Sequence, residues 1–349
     1  MVDLEVVRAA NATLVQSQPL VAVFFGGTSG IGHYTLRALA AAEASGGKGF
    51  RAYIVGRNAK AAEDVIAECR GICPQGQIKF VRTDDISLIQ EADRVCAEII
   101  QLEEKESQDP RIDYLMVSHA GSIFLPRKDT KEGLDVTMSL MYYSRMRVIT
   151  QLLPLLLNST LPAKVVSVYA AGFEGKLYPD DLSLRDLSHY SYSQARSHML
   201  YMHTWFMETL AEQHRGKLGL VHIFPGLVLG PAFENPELPL WFRRVWRWFF
   251  APILGPLLSV PPTECGDRML SLASPRYPPR GTDSSENPDK VAKGTDGKPG
   301  SGAYSLTRKG EASSNKAYEK INQDEMRKKI WDHTMKAFET IKAGEVFTN

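Results

Sequence analysis

The sequence predicts an α/β protein built on a doubly wound, mostly parallel sheet with helices on both faces, and three observations carry that expectation. Short β-branched and aromatic runs at Leu20–Phe25, Arg51–Val55, Ile78–Arg82, Tyr114–Ser118, Lys164–Ser167 and Gly219–Phe224 alternate with longer stretches of helical periodicity, the rhythm of βαβ units. The runs are apolar almost throughout, as strands covered on both faces must be. A glycine-rich turn, GGTSGIG from Gly26 to Gly32, follows the first run directly and opens a helix through Tyr34, Leu36, Leu39 and Ala42.

That turn has the chemistry of a phosphate cradle. Gly26 permits the tight turn, Gly30 lets backbone approach a pyrophosphate, and Gly32, next to Ile31, allows the helix to pack closely. Thr28 and Ser29 add hydroxyl donors, and the helix N-terminus offers unpaired N–H groups to the phosphates. The glycine spacing, GxxxGxG, differs from the GxGxxG of other dinucleotide sites. From about Leu20 to Gly230 the chain resembles the short-chain dehydrogenase/reductase family, which implies a Rossmann sheet and a nicotinamide cofactor. Arg57 stands at the end of the second strand, where NAD-preferring proteins carry an acid; its planar fork suits a 2′-phosphate and predicts NADP. The resemblance further assigns Asp85–Ile86 to the adenine side, Ala120–Gly121 to the turn after the fourth strand, and Pro225–Gly226 to the turn after the sixth. Ser118 and His119 replace two asparagines of the family pattern.

The catalytic positions depart further from that pattern. The family uses a Tyr that exchanges a proton with the substrate oxygen, a Lys four residues later, an orienting Ser and a supporting Asn. Tyr192 and Arg196 have the i, i+4 spacing, so Arg196 supplies positive charge to the phenol without being able to shuttle protons. A second register, counted back from Pro225–Gly226 and Leu210–Ala211, places Arg196 and Leu200 at the Tyr and Lys positions and leaves Tyr190 and Tyr192 as cap or core residues. Tyr169 falls at the position of the orienting Ser, as a substrate contact or a packed aromatic, and Ser167 is expected to point elsewhere. The supporting Asn falls near Tyr142–Tyr143, in a run without asparagine. EGLD, YYSRM and the LLPLL run are similar to a fungal branch of the family associated with secondary metabolism, which implies a lipophilic substrate.

Composition narrows the alternatives. With 349 residues, 44% apolar, and 41 basic against 40 acidic side chains, the chain has no overall field to attract nucleic acid. A small-molecule partner is expected. Cys69, Cys73, Cys96 and Cys265 are too scattered for a disulfide framework, and His198 and His203 are five apart, wrong for metal ligands on one helical face, so no metal is expected. His222 reads as a hydrogen-bonded core residue. The acidic N-terminal stretch has no secretory pattern, and the cytoplasm is the expected location.

The expected organisation is a single domain over 1–349. It comprises a dinucleotide-binding core at 20–230, a substrate-covering segment at 231–277, a mobile loop at 278–302, and an edge strand with a closing helix at 303–349. Within 241–258, Arg243, Arg244 and Arg247 interleave with Trp241, Trp246 and Trp248, a pattern for an apolar lid or for peripheral membrane contact. The functional expectation is an NADP-dependent carbonyl reductase or alcohol dehydrogenase. The alternative is a non-redox isomerase or cyclase, or an NADP-binding pseudoenzyme, on the same fold.

Overall fold

In a computed structural model, the described residues are 2–121, 126–230, 238, 240–255, 259–282, 290–313 and 316–349. Seven strands form one parallel sheet in the order β3-β2-β1-β4-β5-β6-β7. They are β1 (Leu20–Phe25), β2 (Phe50–Gly56), β3 (Gln77–Arg82), β4 (Tyr114–Val117), β5 (Ala163–Val168), β6 (Leu218–Ile223) and β7 (Ala303–Leu306). The six expected strands are all present within about a residue of their predicted bounds, and Ala303–Leu306 adds the expected edge strand beside β6. Strand order reverses between β1 and β4, so the carboxyl ends there open the crevice in which doubly wound sheets bind ligands.

Helices cover both faces. On one face lie α1 (Leu4–Ser17), α2 (Gly30–Ala44) and α3 (Ala59–Ile72), packed on Ala22, Phe24, Ile54 and Val166. On the other lie α4 (Ile89–Glu106), a helix running from α5 (Val136–Met138) through a π-helical turn (Ser139–Tyr143) into α6 (Ser144–Leu157), and α7 (Tyr192–Gln213). Beyond β6 come the short α8 (Leu240–Val245), with its π-helical continuation Trp246–Leu254, then α9 (Pro262–Leu270) and α10 (Gln323–Lys342). Helix α1, which the sequence reading treats only as a non-secretory N-terminus, is anchored on α9 by Arg8–Asp267 at 2.9 Å and by Asn11 Nδ2 donating to the Asp267 carbonyl at 3.0 Å. The closing helix buries Met326, Ile330, Ala337, Phe338 and Ile341, one face at helical spacing.

Alternation along the strands decides what reaches the site. Val165 on β5 and Leu220 on β6 belong to the core shared with α6 and α7, and two residues on, at the carboxyl ends, the same face carries Ser167 and His222, which pair in register. Two polar side chains therefore end an otherwise apolar layer.

The expectation of a mobile loop at 278–302 is narrowed by the structure. Residues 290–302 are held down: Ala292 is buried and donates its N–H to the Arg276 carbonyl at 2.8 Å, and Thr295 N–H donates to Ala303 at 3.0 Å. Polar composition conceals these backbone bonds. Residues 283–289 of that loop, and 231–237, 239 and 256–258 of the covering segment, lie outside the described residues.

The EGLD run has a structural reason. Glu132 is buried, and its two carboxylate oxygens accept from Ile89 N at 2.6 Å and Gln90 N at 3.0 Å, capping α4 from outside that helix. Asp135 caps α5 through Met138 N at 2.9 Å and holds Lys128 N at 3.1 Å. Glu132→Ala is expected to cost about 2 kcal/mol, because two buried N–H groups lose a charged acceptor. A lowered urea midpoint with unchanged slope would report it; an unchanged midpoint would show that the cap contributes nothing.

Candidate active site

The Gly26–Gly32 turn joins β1 to α2. Gly30 opens α2 at φ +56°, and a Cβ there would point into open space, while a Cβ on Gly32 would run into the Gly26 carbonyl oxygen. Ser29 is the N-cap residue, yet its side chain makes no cap bond, and the first turn has no acid. Its N–H groups and positive end of the helix dipole are thus available to an anion. Thr28 packs against Gly56 at the end of β2, followed by exposed Arg57. Asp85 Oδ1 accepts from Ser87 N–H and Oγ, and Ile86 is buried beside it. Ala120–Gly121 and Pro225–Gly226 lie in the loops after β4 and β6, on the same edge of the sheet. These residues fit a dinucleotide: glycine, an uncapped helix and an exposed cation follow one another along the crevice.

Tyr169, Tyr192 and Arg196 are brought together. Ser191 caps α7 by accepting from Gln194 N–H at 3.1 Å, so the helix begins at Tyr192 and carries Arg196 one turn deeper. Tyr169 follows β5, its N–H donating to the Ile223 carbonyl at 2.9 Å, and its phenol neighbours that of Tyr192, each acting on the other's ionisation. Burial raises the pKa of both phenols; the contact with Tyr169 and the charge of Arg196 pull Tyr192 back down, making it the better proton donor of the two. The Arg196 guanidinium lies 4.8 Å from the Phe173 ring centroid, which in turn packs edge-on against Phe224. Tyr190 has a different role, its hydroxyl donating to Asp135 at 3.3 Å. Leu200, the Lys position of the second register, is completely buried.

Beneath these groups lies a cation that the sequence reading overlooks. Arg145, on α6, is buried, and donates to Ser167 Oγ at 3.0 Å, the Val168 carbonyl at 2.8 Å and the His119 carbonyl at 2.6 Å. It also lies 5.7 Å from the Tyr169 ring centroid. All three acceptors are uncharged oxygens, and burial brings its pKa down to about 10, so the guanidinium still carries its charge at neutral pH. Tyr142 and Tyr143, the expected Asn position, face the closing helix instead, bonding Thr334 at 2.7 Å and His333 at 2.8 Å. The π-helical turn ends at Tyr143, so Ser144 and Arg145 take the site-facing positions, with Ser144 Oγ 3.1 Å from His119 Nε2. The signal in the sequence was Arg145, with Arg147 two residues on, interrupting the run MYYSRMRVITQLL.

Two expectations are corrected here. Ser167 does not point away from the site: besides Arg145 it meets His203 Nε2 at 3.1 Å. Its register beside His222 puts it on the α6/α7 face. His222 is not hydrogen-bonded; neither ring nitrogen has a partner among the described residues, and the ring stacks on His203 at 4.7 Å and near Tyr169 at 6.4 Å. Burial holds all these imidazoles neutral, His203 at about 3 and His119 and His222 well below the ordinary value, with Arg145 adding to the shift in each. His198 and His333 are held at about 4.

No family model matches the chain. The short-chain dehydrogenase/reductase SAT2 of Stachybotrys chartarum is 39% identical over 98% of this chain and 98% of its own length. An oxidoreductase of Emericella nidulans is 36% identical over 96% of this chain and 97% of its own. Among solved structures, the Pseudomonas aeruginosa RhlG/NADP active-site complex superposes with a TM-score of 0.53 at 19% identity, covering 74% of this chain and 91% of that one, a likeness of fold.

The depressed imidazoles make an acid-stability prediction. A histidine held neutral by the fold takes up a proton more readily when unfolded, so its contribution is complete above the unfolded value near ~6.5 and is lost as pH falls toward the folded value. Melting temperature is therefore expected to fall steeply from about pH 6.5 to about pH 4, and a flat profile across that interval would contradict the buried neutral cluster.

Proposed function

The chain belongs to the short-chain dehydrogenase/reductase family, and from that premise we propose that it is an NADP-dependent carbonyl reductase acting on a lipophilic small molecule in fungal secondary metabolism. The observation that carries the reading is the pair of phenols, Tyr192 and Tyr169, both raised in pKa and set against Arg196. A phenol that stays protonated through neutral pH is equipped to donate a proton to a carbonyl oxygen, which favours reduction over oxidation.

The Gly26–Gly32 turn, the start of α2 and Arg57 would hold the cofactor, Arg57 by its 2′-phosphate. When bound, NADPH supplies the hydride. Tyr192 gives its Oη proton to the substrate oxygen as the alcohol forms, and Tyr169 orients that oxygen from the orienting-Ser position. Arg196 offsets the negative charge that develops on the Tyr192 oxygen, and Arg145 lies against Tyr169; neither relays protons, since arginine does not deprotonate. Arg145 also braces the loops after β4 and β5 through the His119 and Val168 carbonyls, so it is a positioning residue as well as a fixed charge. Half-exposed Phe173, packed against Phe224, offers an apolar surface beside the phenols and supports the lipophilic substrate.

One feature favours a second reading, a non-redox isomerase or cyclase or an NADP-binding pseudoenzyme: arginine stands where the family's lysine relays protons. Coupled assays distinguish the two, since only reduction consumes NADPH in proportion to product.

Fluorescence titration is expected to give NADPH-selective binding, with Arg57→Ala weakening NADPH roughly tenfold and leaving NADH unchanged. Equal affinity for both cofactors would remove Arg57 from the reading. Tyr192→Phe is expected to lower NADPH-dependent reduction by about 10²–10⁴-fold with NADPH affinity retained. Because the phenol pKa values are raised, the rate should stay level from about pH 6 to pH 9 and fall only above about pH 10. A rate that climbs with pH through the neutral range would mean a deprotonated catalyst and would sink the donor assignment.

A further inference from the structure

We propose that the outer side of residues 240–249 docks on an anionic lipid bilayer. The chain leaves β6 through Pro225–Gly226 and returns at Ser259, which pairs with Leu227, while Val260 N–H donates to the Leu227 carbonyl at 2.7 Å and Ser259 N–H to Gly255 at 2.9 Å. The intervening excursion is therefore pinned at its return beside the turn assigned to the cofactor.

Its surface is unlike the rest of the molecule. Of the nine large apolar side chains exposed among the described residues, five come from this stretch: Leu240, Trp241, Val245, Trp248 and Phe249, with Trp248 72% exposed. Soluble proteins scatter such side chains singly, and a contiguous group marks an interaction surface. Phe242 and Trp246, stacked at 6.1 Å between ring centroids, are half-buried, so the segment has a covered side and an apolar outer side.

Charge selects the occupant. Arg243, Arg244 and Arg247 sit among the aromatics, and no Asp or Glu occurs between Leu238 and Gly255, in a chain whose net charge is +1 overall. A second copy meeting this face with its own would oppose like charges, whereas anionic headgroups complement the arginines as the indoles enter the interface. The segment lies on the surface instead of spanning it. Pro252 interrupts it, and no helix among the described residues is long and apolar enough to cross a membrane. The docking does not rest on the reductase reading.

Vesicle flotation of the full chain, without cofactor or substrate, tests the docking. The protein is expected to float with phosphatidylcholine vesicles containing about a third phosphatidylserine, and roughly tenfold less with phosphatidylcholine alone. Trp248→Ser with Phe249→Ser, and separately Arg244→Gln with Arg247→Gln, should each reduce binding by a similar factor while circular dichroism and NADPH affinity stay unchanged. Failure of folded full-length chain to bind anionic vesicles overturns the proposal, as does vesicle binding unaffected by these substitutions. A concentration-dependent dimer abolished by the Trp248 and Phe249 changes, without vesicle binding, would reassign the face to self-association. Docking together with a failed NADPH titration would remove the reductase reading and leave the docking standing.

Discussion

The arrangement at the carboxyl edge of the sheet depends on one buried cation. Arg145 takes the place of a layer of apolar packing and must satisfy its charge without a carboxylate, which an interior tolerates only when several good acceptors converge on it. The acceptors are the carbonyls of His119 and Val168 and the hydroxyl of Ser167, so one guanidinium cross-links helix α6, the loop after β4 and the end of β5. The loops that flank the phenols are thereby tied together. The neutral imidazoles of His119, His203 and His222 accompany this charge, since protonating any of them would set a second cation beside it.

In the proposed reading, the family's chemistry is carried by different side chains. A lysine next to the catalytic tyrosine both relays protons and lowers the phenol's pKa. Here the two tasks separate: positive charge comes from Arg196 on α7 and Arg145 on α6, and neither can give up its proton. Burial keeps the phenols protonated against the pull of these charges. In that reading the site suits a reaction that consumes a proton, and Tyr169 adds a buried aromatic ring beside Tyr192.

The segment of residues 240–249 extends the theme of polar groups among aromatics outside the core. Its half-buried side contributes Phe242 and Trp246, and its outer side contributes Trp241 and Trp248 with the arginines. An enzyme for lipophilic molecules faces a solubility problem that its active site does not solve. A surface that can sit against lipid would address it.

By itself the sequence determined the doubly wound sheet, its parallel strands and the phosphate cradle, because these rest on local signals: unbroken apolar runs, helical periodicity, and glycines at positions where backbone must turn or approach closely. It also brought Tyr192, Arg196 and Tyr169 forward, since helical spacing and motif order are read along the chain. Only the tertiary structure brought Tyr169 beside Tyr192. It turned Tyr142 and Tyr143 toward the closing helix, put Ser167 and His222 on one face of the sheet, and converted Arg145 from an oddity in an apolar helix into the hub of the site. Those outcomes depend on strand register, on a π-helical turn that rotates one helix, and on acceptors contributed by segments distant in sequence. None of these leaves a periodic trace in the order of residues.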